Sequence, residues 1–516
     1  MADKILTFNG KTISGPSGTG MVILDIPELP EPEAMTLRFQ FSDKSYDPTG
    51  VTSKGTWTKV QHPFSNIWDW TYNEATWREA FYNKFTSPDN IVDIIDAGDT
   101  SGVTSLYRTF SGGADSSYVH YIRSFCLFDT SNVTNMKETF VNCIMESVPE
   151  YDTSNVTNMV SMFQGCENLK RLPLFNTSKV TGMAQMLADC NNLEEVPLFD
   201  TSTVSSMSAM LLSCYKLRNI PKFNTSSVTN MLGMLNGDIG ISTIPDFDYS
   251  NVTSTNRFIS CSTEQSPKQL ETISNISTLT SKLNDCTKMF SGQTEVKYGI
   301  LDAYNKLISC NPTTYDMCFS NCGINTLEGH YQLNQIPTSW GGLLDSNHTV
   351  TIGDRVYRTI TIGTQEWMVE NLELDIEGSV WYNNDPTMKD KGYGKLYTVD
   401  MYNSFTPPTG WKKPDVSDFK TLQTYTQANN IDMRSIIGWS TVSPSDSIGF
   451  YGIPNGYCAD TGNFFGIGAE TSYWAGNRGH IARLTGIYDG APFEALGMLV
   501  SRPGYYQTIR LVRDLA

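Results

Sequence analysis

The segment Asp152-Thr-Ser-Asn-Val-Thr-Asn-Met159 decides the fold, because the chain repeats this phrase at a nearly fixed interval. Its central valine recurs with steps of 23, 24, 24, 24 and 24 residues. The resulting column consists of Val133, Val156, Val180, Val204, Val228 and Val252. A period in the twenties is typical of stacked supersecondary units, none of which can bury its apolar side alone. We therefore predict a solenoid of about 24-residue repeats with leucine-rich-repeat-like spacing.

Each copy also carries apolar residues at helical spacing. Met159, Phe163 and Cys166 lie at positions i, i+4 and i+7, which would place them on one face of a short helix capped by Thr157. The predicted repeat core consists of Val133, Met136, Cys143, Val156, Met159, Phe163, Cys166, Val180, Met183, Cys190, Val204, Met207, Cys214, Val228 and Met231. A one-valine strand followed by a short helix in every copy predicts a mixed α+β fold class.

The phrase D-T-S-N-V-T-N-M-x-x-M-F-x-x-C-x-x-L, which residues 152–169 spell out, resembles the leucine-rich repeats of BspA-type surface antigens. In that family the repeats form an interaction surface and carry no chemistry. The resemblance therefore implies binding rather than catalysis.

The residues themselves also argue against an enzyme. The acidic residue that opens each copy, such as Asp152, is exchanged for Asn176 and Asn224 in other copies, which turn chemistry tolerates and acid–base catalysis does not. The sequence contains no nucleophile elbow, P-loop or His-Glu-x-x-His motif, and its five histidines fall in unrelated contexts. We predict no catalytic residue, no cofactor and no metal site.

Composition limits the partners. The net charge of −17 argues against nucleic acid and anionic membranes, and no apolar run is long enough to span a bilayer. Most of the eleven cysteines lie in repeat register. Stacked neighbours of this kind could be bridged, but burial as small free hydrophobes is the preferred interpretation.

The chain divides into four parts. Residues 1–35 contain Gly- and Pro-rich stretches and are interpreted as an N-terminal docking arm or linker, with a disordered terminus as the equal alternative. Residues 36–98 contain four tryptophans and are expected to cap the first open repeat. The repeats are assigned to residues 99–343, and residues 344–516 form a last domain without the period.

The last domain carries three ordered motifs: Ile362-Gly-Thr-Gln-Glu-Trp-Met-Val-Glu-Asn-Leu372, Gly410-Trp-Lys-Lys-Pro414 followed by a helix capped at Asp415, and a terminal segment, Arg510 to Asp514. Their order resembles the Fibrobacter succinogenes major paralogous domain. That resemblance implies a C-type-lectin-like α+β fold with ligands held on loops.

Sugar rings stack on aromatic faces, so loop aromatics are the candidate ligand-binding residues. The candidates are Trp381, Tyr382, Tyr451, Tyr457 and Trp474, each with core packing as its alternative. Asp446, Asn455 and Asp460 match no calcium-loop spacing.

These features lead to one functional hypothesis. The start of the chain, Met1-Ala-Asp-Lys-Ile-Leu-Thr-Phe8, lacks the apolar segment of a signal peptide. We therefore expect a virion appendage of a phage that infects Bacteroidota-type bacteria. It would be a tail fibre or receptor-binding protein that docks on other virion proteins through its arm and adheres to a host surface glycan or protein. The alternatives are an exported bacterial surface adhesin of BspA type and a capsule depolymerase. Both a monomer and a homo-oligomer remain open, with the oligomer preferred.

Overall fold

The structure, a computed structural model, describes residues 5–8, 11–14, 36–42, 57–61, 67–72, 85–112, 119–262, 270–429, 433–434, 450–476, 479–485, 497–501 and 504–515 of the 516. Within the predicted docking arm it describes only two strands, β1 (Ile5–Phe8) and β2 (Lys11–Ser14), which pair antiparallel. The rest of that arm lies outside the described residues.

A five-stranded sheet in the order β4-β5-β3-β6-β7 precedes and enters the repeats. Its strands are β3 (Thr36–Phe41), β4 (Trp57–Gln61), β5 (Ile67–Tyr72), β6 (Val92–Ala97) and β7 (Ile122–Phe125). Strands β6 and β7 are parallel, whereas the other pairs are antiparallel. The buried side chains of this sheet, including Trp68, belong to the same apolar core as the repeats, and this core extends to Trp340.

The predicted mixed α+β class with a leucine-rich-repeat-like solenoid is wrong. Among the described residues strands, bridges and turns dominate, and helices are few, so the fold is β-rich. No α-helix occurs in residues 119–262, where the sequence predicted one in each copy. The predicted C-type-lectin-like α+β domain is part of the same incorrect assignment.

Left-handed residues explain why the helices do not form. The first left-handed position in each copy lies two residues after the methionine column and is occupied by Glu138, Ser161, Gln185, Ala209 and Gly233. The second lies four residues later and is occupied by Asn142, Gly165, Asp189, Ser213 and Gly237. A right-handed helix cannot continue through such residues. The chain therefore makes a series of turns instead.

Backbone hydrogen bonds between consecutive copies replace the helical ones. The amide of Met159 donates to the Gly182 carbonyl at 2.9 Å, and that of Phe163 donates to the Met186 carbonyl at 2.9 Å. Single parallel bridges connect Asn158 to Gly182 and continue in register from copy to copy. The backbone polar groups are thus satisfied by the neighbouring copy, as burial requires.

The polar triplet that opens each copy also stabilises the contact between copies. In the second copy, Asp152 Oδ1 accepts the Ser154 amide at 2.9 Å and closes a turn, while the buried Thr153 hydroxyl donates to the Asn176 carbonyl at 2.9 Å. The same threonine bond recurs at Thr130, Thr177, Thr201 and Thr225. The backbone and hydroxyl hydrogen bonds of Ser154 lower the pKa of the Asp152 carboxyl.

The structure places all fifteen residues of the predicted repeat core in the interior. The Phe163 ring stacks on Phe140 with 5.3 Å between ring centroids, and Cys166 Sγ donates to the Phe140 carbonyl at 3.0 Å. The cysteines of the repeat column, Cys143, Cys166, Cys190 and Cys214, are free thiols. Burial raises the pKa of Cys143, Cys166, Cys190 and Cys214 well above the usual thiol value.

The copy that opens at Asn224 has no cysteine at the position that Cys143, Cys166, Cys190 and Cys214 occupy in the four preceding copies. Asp238 stands where the preceding copies have Cys166, Cys190 and Cys214, and it is 1% exposed. Its Oδ1 accepts the Cys214 amide at 2.6 Å, while its Oδ2 has no hydrogen-bond partner among the described residues. Burial raises the pKa of this carboxyl well above its usual value.

Restoring the column with Asp238→Cys is expected to raise the free energy of unfolding at neutral pH by about 1 kcal/mol or more. In the folded protein the raised pKa keeps the Asp238 carboxyl protonated, whereas in the unfolded chain it loses its proton above a pKa of about 4. The free energy of unfolding of the wild type therefore falls as the pH rises from about 4 toward the raised pKa of the folded state. Urea unfolding at about pH 4 and about pH 7 should show that the difference in free energy of unfolding between the variant and the wild type increases with pH. An equal difference at both pH values, or none beyond that of the exposed control Asp246→Asn, would contradict the assignment.

The last domain contains two sheets, in the orders β16-β10-β9-β8 and β12-β11-β13-β14-β15. The first consists of β8 (Thr349–Ile352), β9 (Arg355–Ile362), β10 (Gln365–Met368) and β16 (Val512–Asp514). The second consists of β11 (Asn455–Cys458), β12 (Phe464–Ile467), β13 (Glu470–Trp474), β14 (His480–Thr485) and β15 (Gly497–Val500). Strand β16 brings the terminal motif beside the start of the domain.

Four α-helices occur among the described residues: α1 (Ile300–Cys310), α2 (Leu327–Leu333), α3 (Val399–Ser404) and α4 (Val416–Ala428). The predicted helix after Asp415 is α4, and Asp415 caps it by accepting the amides of Ser417 and Asp418. Helix α2 lies near the end of the repeat region and packs against the last domain.

Candidate functional site

The repeat region and the last domain meet at α2. The His330 imidazole, which is buried, stacks on the Tyr451 ring with 3.6 Å between centroids. Arg358 donates to the Asn334 side chain just beyond α2. Burial, and then the neighbouring Arg358 charge, lowers the pKa of His330 well below its usual value, so this junction is held by a neutral imidazole.

A cleft of about 780 Å³ opens beside this junction, and we call it the junction cleft. Both parts of the chain line it, and the lining side chains that carry polar or aromatic groups include Tyr331, Gln335, Arg355, Glu373, Trp381 and Lys395. A cleft of this volume is within the range of small-ligand sites.

An ion pair lies on one wall of the junction cleft. The Arg355 guanidinium contacts the Glu373 carboxylate and lies over the Tyr331 and Tyr357 rings, 4.8 and 4.6 Å from their centroids. Tyr331 Oη donates to Glu373 Oε2 at 3.0 Å. The Arg355 and Glu373 side chains are only 19% and 5% exposed, so the rings and the pair hold each other in place.

A second ion pair lies near the exposed rim. Lys395 Nζ contacts the Asp375 carboxylate and lies 5.4 Å from the centroid of the Trp381 ring. The Lys395 side chain is 11% exposed, whereas Asp375 is 91% exposed. Trp381 is therefore positioned by a cation on its ring, while part of its surface remains open to the cleft.

Only some of the five candidate aromatics reach a surface. Trp381 lines the junction cleft, and Tyr457 is half-buried on the outer side of the second sheet. Tyr382 packs against Phe464 inside the domain, with 5.1 Å between ring centroids. Tyr451 is buried against His330, and the buried indole of Trp474 donates to the Tyr397 carbonyl at 2.7 Å. The structure thus separates the candidates instead of gathering them.

The half-buried Tyr457 belongs to a second aromatic surface. Its ring lies near-parallel to Tyr505 at 5.8 Å and beside Phe465 at 5.7 Å between centroids. Arg483 lies over the Tyr457 ring at 5.8 Å and pairs with Glu470 at 2.9 Å. Phe465 is 47% exposed. We call these five residues the outer aromatic surface.

The charged residues of the junction cleft were not among the sequence candidates. Arg355 and Tyr357 alternate along β9 and therefore share one face, which is a detectable signal. Glu373 follows β10, and Lys395 follows a 3-10 helix, Pro386–Lys391. Nothing in their local sequence indicates that folding brings them to β9.

No group of three or more acidic, histidine or cysteine side chains suited to a metal occurs among the described residues. Asn455 is buried and donates to the Tyr393 carbonyl at 2.9 Å, Asp460 is exposed, and Asp446 lies outside the described residues. In the part of the chain that is described, no helix is long and apolar enough to cross a membrane.

Two protein families match separate parts of the chain. Residues 75–197 and 190–304 match the family described as a Mycoplasma protein of unknown function, DUF285, and residues 360–513 match the Fibrobacter succinogenes major domain. The chain therefore combines a BspA-like repeat segment with a Fibrobacter-type domain. No curated protein and no solved structure matches it.

Proposed function

We propose that this chain is a surface-binding protein that adheres to a host cell glycan through the junction cleft. The cleft carries the proposal because it combines a partly open tryptophan with fixed hydrogen-bond donors and acceptors, the combination that binds a pyranose ring by stacking and by its hydroxyl groups. The repeats would hold this site away from the point of attachment. Location on a phage virion, docking on other virion proteins through the N-terminal arm, and homo-oligomer formation remain predictions of the sequence.

Adhesion is tested with the purified full chain on Bacteroidota cells, intact and enzymatically stripped of capsule. We expect binding to intact cells and a loss of about tenfold or more on stripped cells, because the ligand is removed. Trp381→Ala should weaken binding to intact cells to a similar degree, while Tyr298→Ala, which removes an exposed ring of the repeats, should not. Equal binding to intact and stripped cells would contradict a glycan ligand.

A further inference from the structure

We infer that the junction cleft binds a neutral saccharide and discriminates against acidic ones, an inference that rests on the adhesion function proposed above. The cleft is lined by equal numbers of cationic and anionic side chains, three of each: Arg355, Lys389 and Lys395, and Asp354, Glu373 and Asp375. A site built to bind a uronate or another acidic sugar would present cations without matching carboxylates.

The two most enclosed cations already have carboxylate partners. Arg355 pairs with Glu373, which is 5% exposed and also accepts the Tyr331 hydroxyl. Lys395 pairs with Asp375. An acidic sugar that displaced Glu373 from Arg355 would leave a nearly buried carboxylate unpaired. The same ligand at Lys395 would be repelled by Asp375.

A neutral saccharide meets no such conflict. Each sugar hydroxyl both donates and accepts hydrogen bonds, so one hydroxyl can donate to a carboxylate of a pair while it accepts from the cation beside it. Asp375 and Lys395 offer this combination at the rim, next to Trp381. The ion pairs would remain intact while the ring of the sugar covers the indole.

The test uses the full chain and two probes, the neutral and the acidic oligosaccharide fractions of host capsule, separated by anion exchange. Titration calorimetry should show the neutral fraction binding about tenfold or more tightly than the acidic fraction. The affinity for the neutral fraction should change little between low and high salt. Tighter binding of the acidic fraction, with an affinity that falls as salt rises, would overturn the inference.

A charge variant gives a gain-of-binding test. Asp375→Asn leaves Lys395 without its carboxylate, and Asp375 is 91% exposed, so the fold should tolerate the change. We expect the variant to bind the acidic fraction several-fold more tightly, an increase that high salt removes. The matched control is Glu377→Gln, a nearby exposed residue that does not line the cleft. Equal gains in both variants, or no gain in Asp375→Asn, would contradict the proposed pairing.

Variants of the outer aromatic surface and of the junction cleft, compared side by side, show which of the two surfaces binds the saccharide. If Tyr457→Ala abolishes binding of the neutral fraction and Trp381→Ala does not, the assignment to the junction cleft is wrong while glycan adhesion stands. If Trp381→Ala alone abolishes it, the assignment is supported. The adhesion function itself fails separately, when the unaltered chain binds no intact cells.

Discussion

Replacing Phe163 with alanine should lower the free energy of unfolding by about 3–5 kcal/mol. The side chain is fully buried, and its ring stacks between Phe140 and Phe175, with centroid distances of 5.3 and 6.2 Å. Neighbouring copies are joined by backbone hydrogen bonds on both sides of this residue, so the surroundings cannot collapse into the space that the ring leaves. Urea unfolding followed by far-UV circular dichroism measures the loss.

Leu174→Ala is the matched control, because Leu174 lies in the same copy as Phe163 and is 63% exposed. Its removal should change the free energy of unfolding by no more than about 0.5 kcal/mol. If the two variants unfold at the same urea concentration, the ring stack does not stabilise the repeats as described.

The second large effect is expected for Arg510→Met in the last domain, which should lower the free energy of unfolding by about 3–5 kcal/mol. The fully buried Arg510 guanidinium donates to the Phe450 and Tyr451 carbonyls at 2.5 and 2.8 Å and to Asn371 Oδ1 at 2.7 Å. Methionine fills similar space but leaves these acceptors without their donors, and it removes one of the three arginine charges near the buried Glu370, the other two being Arg358 and Arg355.

Tryptophan fluorescence during urea unfolding includes a signal from this domain, since Trp367 and Trp474 are buried within it, whereas Trp68 and Trp340 report on the core of the repeats. Arg510→Lys should recover only part of the loss, because an ammonium cannot reproduce the planar set of donors. Arg513→Met is the control, since the Arg513 side chain is 38% exposed. A loss at Arg510 no larger than at Arg513 would contradict the central role of Arg510.

The columns of the repeat could be predicted from the sequence, but the path of the backbone between them could not be predicted from apolar spacing. Val156, Met159, Phe163 and Cys166 are all fully buried, as their periodicity indicates. Spacing of i, i+4 and i+7 suits a helix, but a series of turns with left-handed residues produces it as well. The glycine at position 165 marked one of these left-handed positions.

The sequence predicts only part of the lining of the junction cleft, for a different reason. Trp381 could be selected as a loop aromatic, but its partners Arg355 and Lys395 come from separate elements. Burial of Tyr382, Tyr451 and Trp474 depends on which segments cover them. One wall of the cleft also requires α2, which belongs to the preceding repeat region. Tertiary packing alone decides these positions.

The most direct test of the central claim is hydrogen–deuterium exchange of the full chain with and without the neutral capsule fraction. A ligand in the junction cleft should slow exchange in segments 353–357, 373–381 and 389–396, which carry most of the lining residues of the last domain. Exchange in residues 455–467 and 504–508, which carry most of the outer aromatic surface, should stay unchanged. Slower exchange in those segments or in the repeats alone, with the cleft unaffected, would contradict the proposed site.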